Sequence, residues 1–319
     1  MEEQGYKNRD MKIIIIGANG QLGGELATAF ENETVVALGH KDLDIVHYDS
    51  TERLFTRAYP DVVLNTSAYH QVDLCETVQE KAFSVNAFAV RHLAQLCRKH
   101  DALFVHTSTD YVFDGAKGAP YTEEDAPNPQ SVYANSKLAG EFFVKHNCPR
   151  HFIIRTCGLY GDAGRSSKGY NFVDLMLRLQ REQQPIRVVS DQVLTPTRAA
   201  EAARKIHELV LFERDHRTEI PQAGTRGSLY GVVHVTAQGA CSWYDFARAI
   251  FEEAELTANL TPTTSAKYGA AAKRPTYSVL AHSKLAQYGM DDMEFWRDGL
   301  RAYLAERRVR LAEPGPIRV

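Results

Sequence analysis

Lys12-Ile13-Ile14-Ile15-Ile16 runs directly into Gly17-Ala18-Asn19-Gly20-Gln21-Leu22-Gly23, and this stretch decides the fold. Consecutive branched apolar residues are what a central parallel strand needs when helices cover both faces of its sheet. The glycines that follow permit a tight turn. They also let a pyrophosphate approach backbone N–H groups at the positive end of a helix. The spacing is Gly-x-x-Gly-x-x-Gly, slightly different from the commoner dinucleotide fingerprint, and no Gly-Lys-Ser/Thr follows, which argues against a nucleoside triphosphatase loop. A glycine triplet alone is equally a plain structural turn. Its place between a first strand and a first helix makes dinucleotide binding the expectation, through Gly17, Asn19, Gly20, Gln21 and Leu22.

Outward from this turn, short β-branched runs alternate with helical patterns. Lys12–Ile16, Thr34–Leu38, Asp61–Asn65, Ala102–Thr107 and His151–Arg155 read as strands. Gln21–Glu31, Thr51–Ala58, Gln79–His100 and Ser131–His146 read as helices between them. That alternation predicts a doubly wound parallel α/β sheet of Rossmann-like type. After Arg155 the pattern loosens through a glycine-rich Gly158–Gly169 segment. Helices are expected at Phe172–Glu182, Thr197–Leu211 and Trp243–Glu255, a strand at Val232–Thr236 and an exposed loop at Glu213–Gly227. The expected organisation is an NAD(P)-binding domain over 11–157, with later segments at about 185–240 returning to it, and a smaller substrate-binding lobe over most of 158–319.

Composition narrows the function classes. The 319 residues are 44% hydrophobic and 24% charged with a formal charge of −3, so neither nucleic acid nor an anionic membrane is an expected partner. The opening Met1–Asp10 segment is polar and lacks the apolar stretch of a secretion signal. Five cysteines, odd in number and without a Cys-x-x-Cys pair, favour a reducing compartment, hence cytoplasm. His146, Cys148 and His151 lie close in sequence, but zinc sites draw on tighter ligand pairs, and no metal is expected.

The strand ends carry the chemistry. The second strand closes on His40-Lys41 instead of an acidic residue, and a basic pair can receive a 2′-phosphate, favouring NADPH over NADH. Tyr133 and Lys137 stand four apart on a helix, so phenol and ammonium share a face. A nearby cation would lower the tyrosine pKa and make Tyr133 a proton donor to a carbonyl. The fourth strand leaves through Thr107-Ser108-Thr109-Asp110-Tyr111, and the ligand crevice of an open α/β sheet lies beyond such carboxyl ends. Thr109 can there bond a carbonyl beside Tyr133. Asn65-Thr66-Ser67-Ala68-Tyr69 ends the third strand in small residues, where a cofactor can lie against backbone at Ala68 and Tyr69. Asn86 falls within the apolar stripe of its helix, either as a satisfied core amide or as a polar relay beside Lys137 and the cofactor.

Together these residues resemble the extended short-chain dehydrogenase/reductase family, and within it the dTDP-4-dehydrorhamnose reductases. The likeness runs through residues 17–23, Asp42–Ile45, Asn65–Tyr69 with Val72, Asp73 and Glu76, and the string Ser108-Thr109-Asp110-Tyr111-Val112-Phe113-Asp114-Gly115. It continues through Tyr121, Glu123, Asp125, Tyr133, Lys137-Leu138-Ala139-Gly140-Glu141, Asn171-Phe172-Val173, Asp191-Gln192, Pro196-Thr197, Arg274-Pro275 and Ser278. The resemblance implies NADPH- or NADH-dependent reduction of the C4 keto group of a dTDP-4-keto-6-deoxy sugar, dTDP-4-dehydrorhamnose giving dTDP-L-rhamnose. Tyr133 would protonate the nascent alkoxide, Lys137 would hold the nicotinamide ribose and tune Tyr133, and Thr109 would complete the triad. Asp44 and Ile45 would join His40 and Lys41 at the cofactor. His70, Val72, Thr109, Asp110, Tyr111, Gly158, Asn171 and Arg274 would meet the nucleotide sugar. A homodimer fits the resemblance, the oligomeric state being left open by the sequence. Two positions depart from the family pattern: Gly158 stands where a sugar-packing Trp is usual, and His70 replaces a common Thr. These departures leave room for a related nucleotide-sugar reductase or epimerase, or for a non-catalytic NADP-binding regulatory subunit.

Overall fold

Ile13 and Ile15 pack into one buried cluster and Ile14 and Ile16 into another, so the first strand is covered on both faces. This is the two-residue alternation of a strand applied to a double-sided core. The computed structural model describes residues 10–161 and 171–312. Most of the Met1–Asp10 segment, the second part of Gly158–Gly169 and the C-terminal Pro-Gly tail lie outside them.

The chain runs β1 (Lys12–Ile16), α1 (Gln21–Ala29), β2 (Thr34–Leu38), α2 (Tyr48–Ala58), β3 (Val62–Asn65), α3 (Val72–Cys75), α4 (Gln79–Phe83), α5 (Ala89–Lys99), β4 (Leu103–Thr109), α6 (Val132–Asn147) and β5 (His151–Thr156). It continues with β6 (Leu159–Tyr160), α7 (Phe172–Arg181), β7 (Ile186–Val189), β8 (Val193–Leu194), β9 (Thr197–Arg198), α8 (Ala199–His216), β10 (Gly231–His234), β11 (Cys241–Ser242), α9 (Trp243–Glu253), β12 (Leu260–Thr263), α10 (Ser265–Tyr268), α11 (Ser283–Gln287) and α12 (Trp296–Ala312). Six strands form one parallel sheet in the order β2-β1-β3-β4-β5-β10. The order reverses between β1 and β3, the switch point at which such sheets open a ligand crevice. The register lines Ile16, Leu38, Asn65 and His106 across the sheet, and Thr109 with Thr156. Every strand exit singled out in the sequence therefore opens on the same edge.

One core cluster joins β1, β3, β4 and β5 to α1 and α8. The opposite one joins the sheet to α5 and to Phe55 of α2. A third is built away from the sheet from Tyr160, α7, β7, α9 and α12.

Several elements differ from their sequence reading. Gln79–His100 is not one regular helix. A π turn at Ser84–Phe88 separates α4 from α5. It sits where α6 crosses: a Cβ on Gly140 would lie 2.3 Å from the Asn86 carbonyl oxygen, so the two backbones touch. Wide turns of this kind re-aim a side chain within a helix. The anticipated loop from Glu213 begins later, because α8 continues to His216. Glu213 is buried with its carboxylate on Arg150 and the Tyr230 hydroxyl. The pairs β6–β9, β7–β12 and β8–β11 are too short to carry a readable period. All five cysteines are buried free thiols, and no helix among the described residues is long and apolar enough to cross a membrane.

Candidate active site

The glycine turn is bound to the sheet by its own backbone. Gly17 and Ala18 N–H both donate to the Leu38 carbonyl, at 2.9 and 3.0 Å, and Gly20 N–H donates back to Gly17. Gly17 has φ +85°, and a Cβ there would lie 2.7 Å from Thr66 Oγ1 and 2.9 Å from Ser67 N. Only glycine fits. Helix α1 starts at Gly20 with no side-chain cap and no acidic residue in its first turn, which leaves its positive pole uncompensated. Gln21 and Leu22 N–H have no protein acceptor among the described residues, and buried Gln21 Oε1 is also unpartnered. These unmet groups in a cradle without side chains fit a pyrophosphate. Asn19 is exposed with its amide over Gly39, and His40 and Lys41 follow as exposed side chains at the end of β2. Asp44 Oδ1 accepts Val46 N–H, and Ile45 is buried in the adjoining core. Gly17→Ala is expected to weaken NADP binding at least tenfold, read by fluorescence titration. Wild-type affinity in a folded variant would reject this use of the turn.

At the end of β3, Tyr69 is pinned from both sides by Asn86: its N–H donates to Asn86 Oδ1 at 2.8 Å and its carbonyl accepts from Asn86 Nδ2 at 3.0 Å. Asn86 Nδ2 also reaches Ser136 Oγ on α6 at 2.9 Å. Asn86 is thus a satisfied amide that ties the Ala68-Tyr69 exit to the helix bearing Tyr133.

The catalytic candidates meet where β4 ends against α6. Ser131 caps α6 and sets the phase that turns both Tyr133 and Lys137 inward. Thr109 Oγ1 donates to Asp110 Oδ1 at 3.1 Å, accepts Tyr111 N–H at 3.2 Å and is a neighbour of the Tyr133 phenol, whose pKa it lowers. The Tyr111 and Tyr133 rings stand edge to face at 6.2 Å. Lys137 is buried and donates to the Thr107 carbonyl at 2.6 Å. Burial pushes it down to about 8, opposed by Glu141. The Tyr133 phenol moves the other way from the sequence expectation. Burial raises it, and the neighbouring Thr109 hydroxyl only partly offsets that. Lys137 faces a carbonyl, and desolvation outweighs any stabilisation of phenolate.

Beneath these groups lies Asp110, buried and raised by desolvation, with Cys157 Sγ donating to its Oδ2 at 3.0 Å. Arg274 comes from the later half of the chain, pairs with Asp73 at 2.7 Å and has Tyr111 among the groups acting on its charge. His70 is exposed beside Ala68 and Val72 opens α3, so both flank the same crevice. Gly158 has φ +54°, and a Cβ there would sit 3.0 Å from Leu194 Cδ1, so the turn itself disfavours a larger residue. Asn171 lies apart from the triad. Its Oδ1 caps α7 and its Nδ2 serves Gly161 O and the Tyr303 hydroxyl, so its polar groups are engaged structurally.

The sequence reading missed the groups behind the triad. Glu141 stands one turn beyond Lys137 and forms a fully buried pair with Arg155 of β5, Arg155 Nη2 to Glu141 Oε2 being 2.7 Å, while Ser108 Oγ donates to Glu141 Oε1 at 2.6 Å. A single arginine directly after the apolar run Phe152-Ile153-Ile154, with a glutamate one helical turn beyond Lys137, is the signal that points to this pair. His106, between Asn65 and Lys137, carries no such signal.

Comparison with known proteins places these features in context. The sequence profile of the RmlD substrate binding domain matches residues 11–309. The chain is 36% identical over 298 residues to the spore coat polysaccharide biosynthesis protein SpsK of Bacillus subtilis strain 168, spanning 93% of this chain and 98% of that one. It is 35% identical over 304 residues to the dTDP-4-dehydrorhamnose reductase of Aggregatibacter actinomycetemcomitans, spanning 92% and 99%. A solved dTDP-4-dehydrorhamnose reductase from Bacillus anthracis strain Ames, in complex with NADP, superposes with a TM-score of 0.84 at 35% identity, covering 93% of this chain and 99% of that one.

Proposed function

The chain belongs to the RmlD substrate-binding-domain family of dTDP-4-dehydrorhamnose reductases, and from that premise we propose that it reduces the C4 keto group of a dTDP-4-keto-6-deoxy sugar with NADPH, converting dTDP-4-dehydrorhamnose to dTDP-L-rhamnose. The observation that carries this reading is the meeting of Thr109, at the end of β4, with Tyr133 at the crevice, where Tyr133 stands edge to face with Tyr111 and Lys137 lies one turn further along α6.

NADPH, when bound, supplies the reducing equivalent to the carbonyl carbon. Gln21 and Leu22 hold its pyrophosphate through backbone N–H groups while Gly17 and Gly20 leave room for it beside the turn, His40 and Lys41 receive its 2′-phosphate, and Ala68 and Tyr69 offer backbone along its length. Tyr133 keeps its proton at neutral pH because burial raises its pKa, so it donates that proton to the carbonyl oxygen. Thr109 orients the same oxygen. Lys137, titrating near neutrality, restores the proton to Tyr133. His70, Val72, Asp110, Tyr111 and Arg274 border the sugar nucleotide, and Gly158 leaves one wall of that space without an aromatic side chain.

We read residues 11–157, completed by α8 and β10, as the cofactor domain and most of 158–319 as the substrate lobe. Cytoplasm is the proposed location. A homodimer is proposed through the paired helices α5 and α6, where Phe88, at the end of the π turn leading into α5, and Phe142 of α6 are about half exposed. The purified protein is expected to oxidise NADPH stoichiometrically with dTDP-4-keto-6-deoxy-L-lyxo-hexulose and to sediment as a dimer. Product formed without net NADPH consumption would indicate an epimerase, and no turnover would refute the enzymatic reading.

A further inference from the structure

Behind Lys137 lies a buried polar wire that the proposed reaction does not use. Asn65 Oδ1 accepts two bonds from Ser67, from its backbone N–H at 3.2 Å and its hydroxyl at 2.6 Å. A backbone N–H can only donate, so the amide is fixed with its oxygen towards Ser67. Its Nδ2 must therefore face His106 Nδ1, 3.1 Å away, as a donor. Nδ1 of a neutral ring that accepts leaves the ring proton on Nε2. His106 is fully buried, and desolvation together with the Lys137 charge holds it well below its ordinary pKa, so the ring stays neutral. Lys137 Nζ stands 3.4 Å from that Nε2. An ammonium has no lone pair, so an Nε2–H facing it sets donor against donor, whereas the neutral amine can accept.

We propose that Asn65 locks His106 as the Nε2–H tautomer, making His106 a positioning residue that disfavours the ammonium form of Lys137 and sets the upper pH limit of the proton-donating pair. The other groups around this pair act differently. Glu141, one turn along α6, favours the ammonium but is itself neutralised by Arg155 of β5. Asp110 at the end of β4 and Cys75 of α3 act on Tyr133. Tyr133, one turn back on α6, is the neutral phenol. His106 is thus the neighbour from the sheet whose tautomer decides the sign of its effect on Lys137.

The proposal deepens the assignment of Tyr133 and Lys137 to proton transfer, and its test is separable from that assignment. Two-bond 1H–15N NMR of the histidine ring is expected to show His106 protonated on Nε2, and the Lys137 13Cε resonance to titrate near pH 8. In Asn65→Asp the carboxylate accepts from Nδ1, moving the lone pair to Nε2 and turning it towards Lys137. The Lys137 midpoint should then rise by about one pH unit or more, a tenfold change in its protonation constant. The alkaline limb of kcat/KM should rise with it. An Nδ1–H tautomer in the wild-type protein, or an unmoved Lys137 midpoint in folded Asn65→Asp, would overturn the proposal. The wild-type tautomer decides the matter even if the variant does not fold. Tautomer and midpoint as expected, without turnover of any sugar, would support the lock and count against the reaction alone.

Discussion

Tyr133→Phe is expected to reduce kcat for the dTDP-keto sugar by about 10³-fold, within the 10²–10⁴ that a positioned general acid contributes, with KM little changed. The phenol has Thr109 as a neighbour, and its ring lies edge to face with Tyr111. Phenylalanine keeps the ring contact and deletes only the proton donor, so thermal stability should stay close to wild type. Stopped-flow absorbance at saturating NADPH separates the two constants. A loss smaller than tenfold in kcat would mean that another group delivers the proton, and Asp110, buried and raised by desolvation beside Thr109, is then the next residue to replace.

Glu141→Ala should produce the largest loss of stability, about 3–5 kcal/mol, the usual cost of removing one partner from a buried ion pair. Arg155 and Glu141 expose 1% and 0% of their side chains. Arg155 Nη1 already lacks a hydrogen-bond partner, and the guanidinium lies 5.0 Å above the centre of the Phe113 ring, so nothing nearby can take the orphaned charge. The low pKa of Glu141 has the same origin: the guanidinium and the Ser108 hydroxyl outweigh desolvation. A carboxylate with a depressed folded-state pKa stabilises the protein above its unfolded value of 4.5 and loses that contribution as the pH falls through the folded value. Glu141→Ala should therefore remove part of the acid sensitivity as well. Melting temperature should drop by on the order of 10 °C. Pairing it with Arg155→Met should recover much of the loss. A single-variant cost under about 1 kcal/mol would show that water reaches the pair.

The strands of the main sheet were legible because burial on both faces leaves an unbroken apolar run, and β1 to β5 begin and end within two residues of their sequence positions. Strand exits were legible for a related reason. Small and hydroxyl residues must follow where backbone approaches a ligand, as at Asn65–Tyr69 and Thr107–Tyr111. Less was readable where a single contact overrides local pattern. The π turn at Asn86 answers to the close approach of Gly140, 54 residues away in the chain. Glu213 reads as a loop charge until Arg150 and Tyr230 are brought to it. Spacing placed Tyr133 and Lys137 on one face, but the direction of the tyrosine shift depends on desolvation, which a sequence does not display. His106 is an ordinary strand residue in sequence. It acquires a role only from the amide on one side and the lysine on the other.

The most direct test follows the reducing equivalent itself. NADPH deuterated at C4 of the nicotinamide, in each of its two stereochemical forms, is incubated with the protein and dTDP-4-keto-6-deoxy-L-lyxo-hexulose, and the product is read by NMR. One of the two forms should place a single deuterium at C4 of the sugar, with one NADPH consumed per product, and Tyr133→Phe should abolish that transfer. Sugar product lacking deuterium at C4 with both forms, or transfer undiminished by the phenylalanine substitution, would contradict the account.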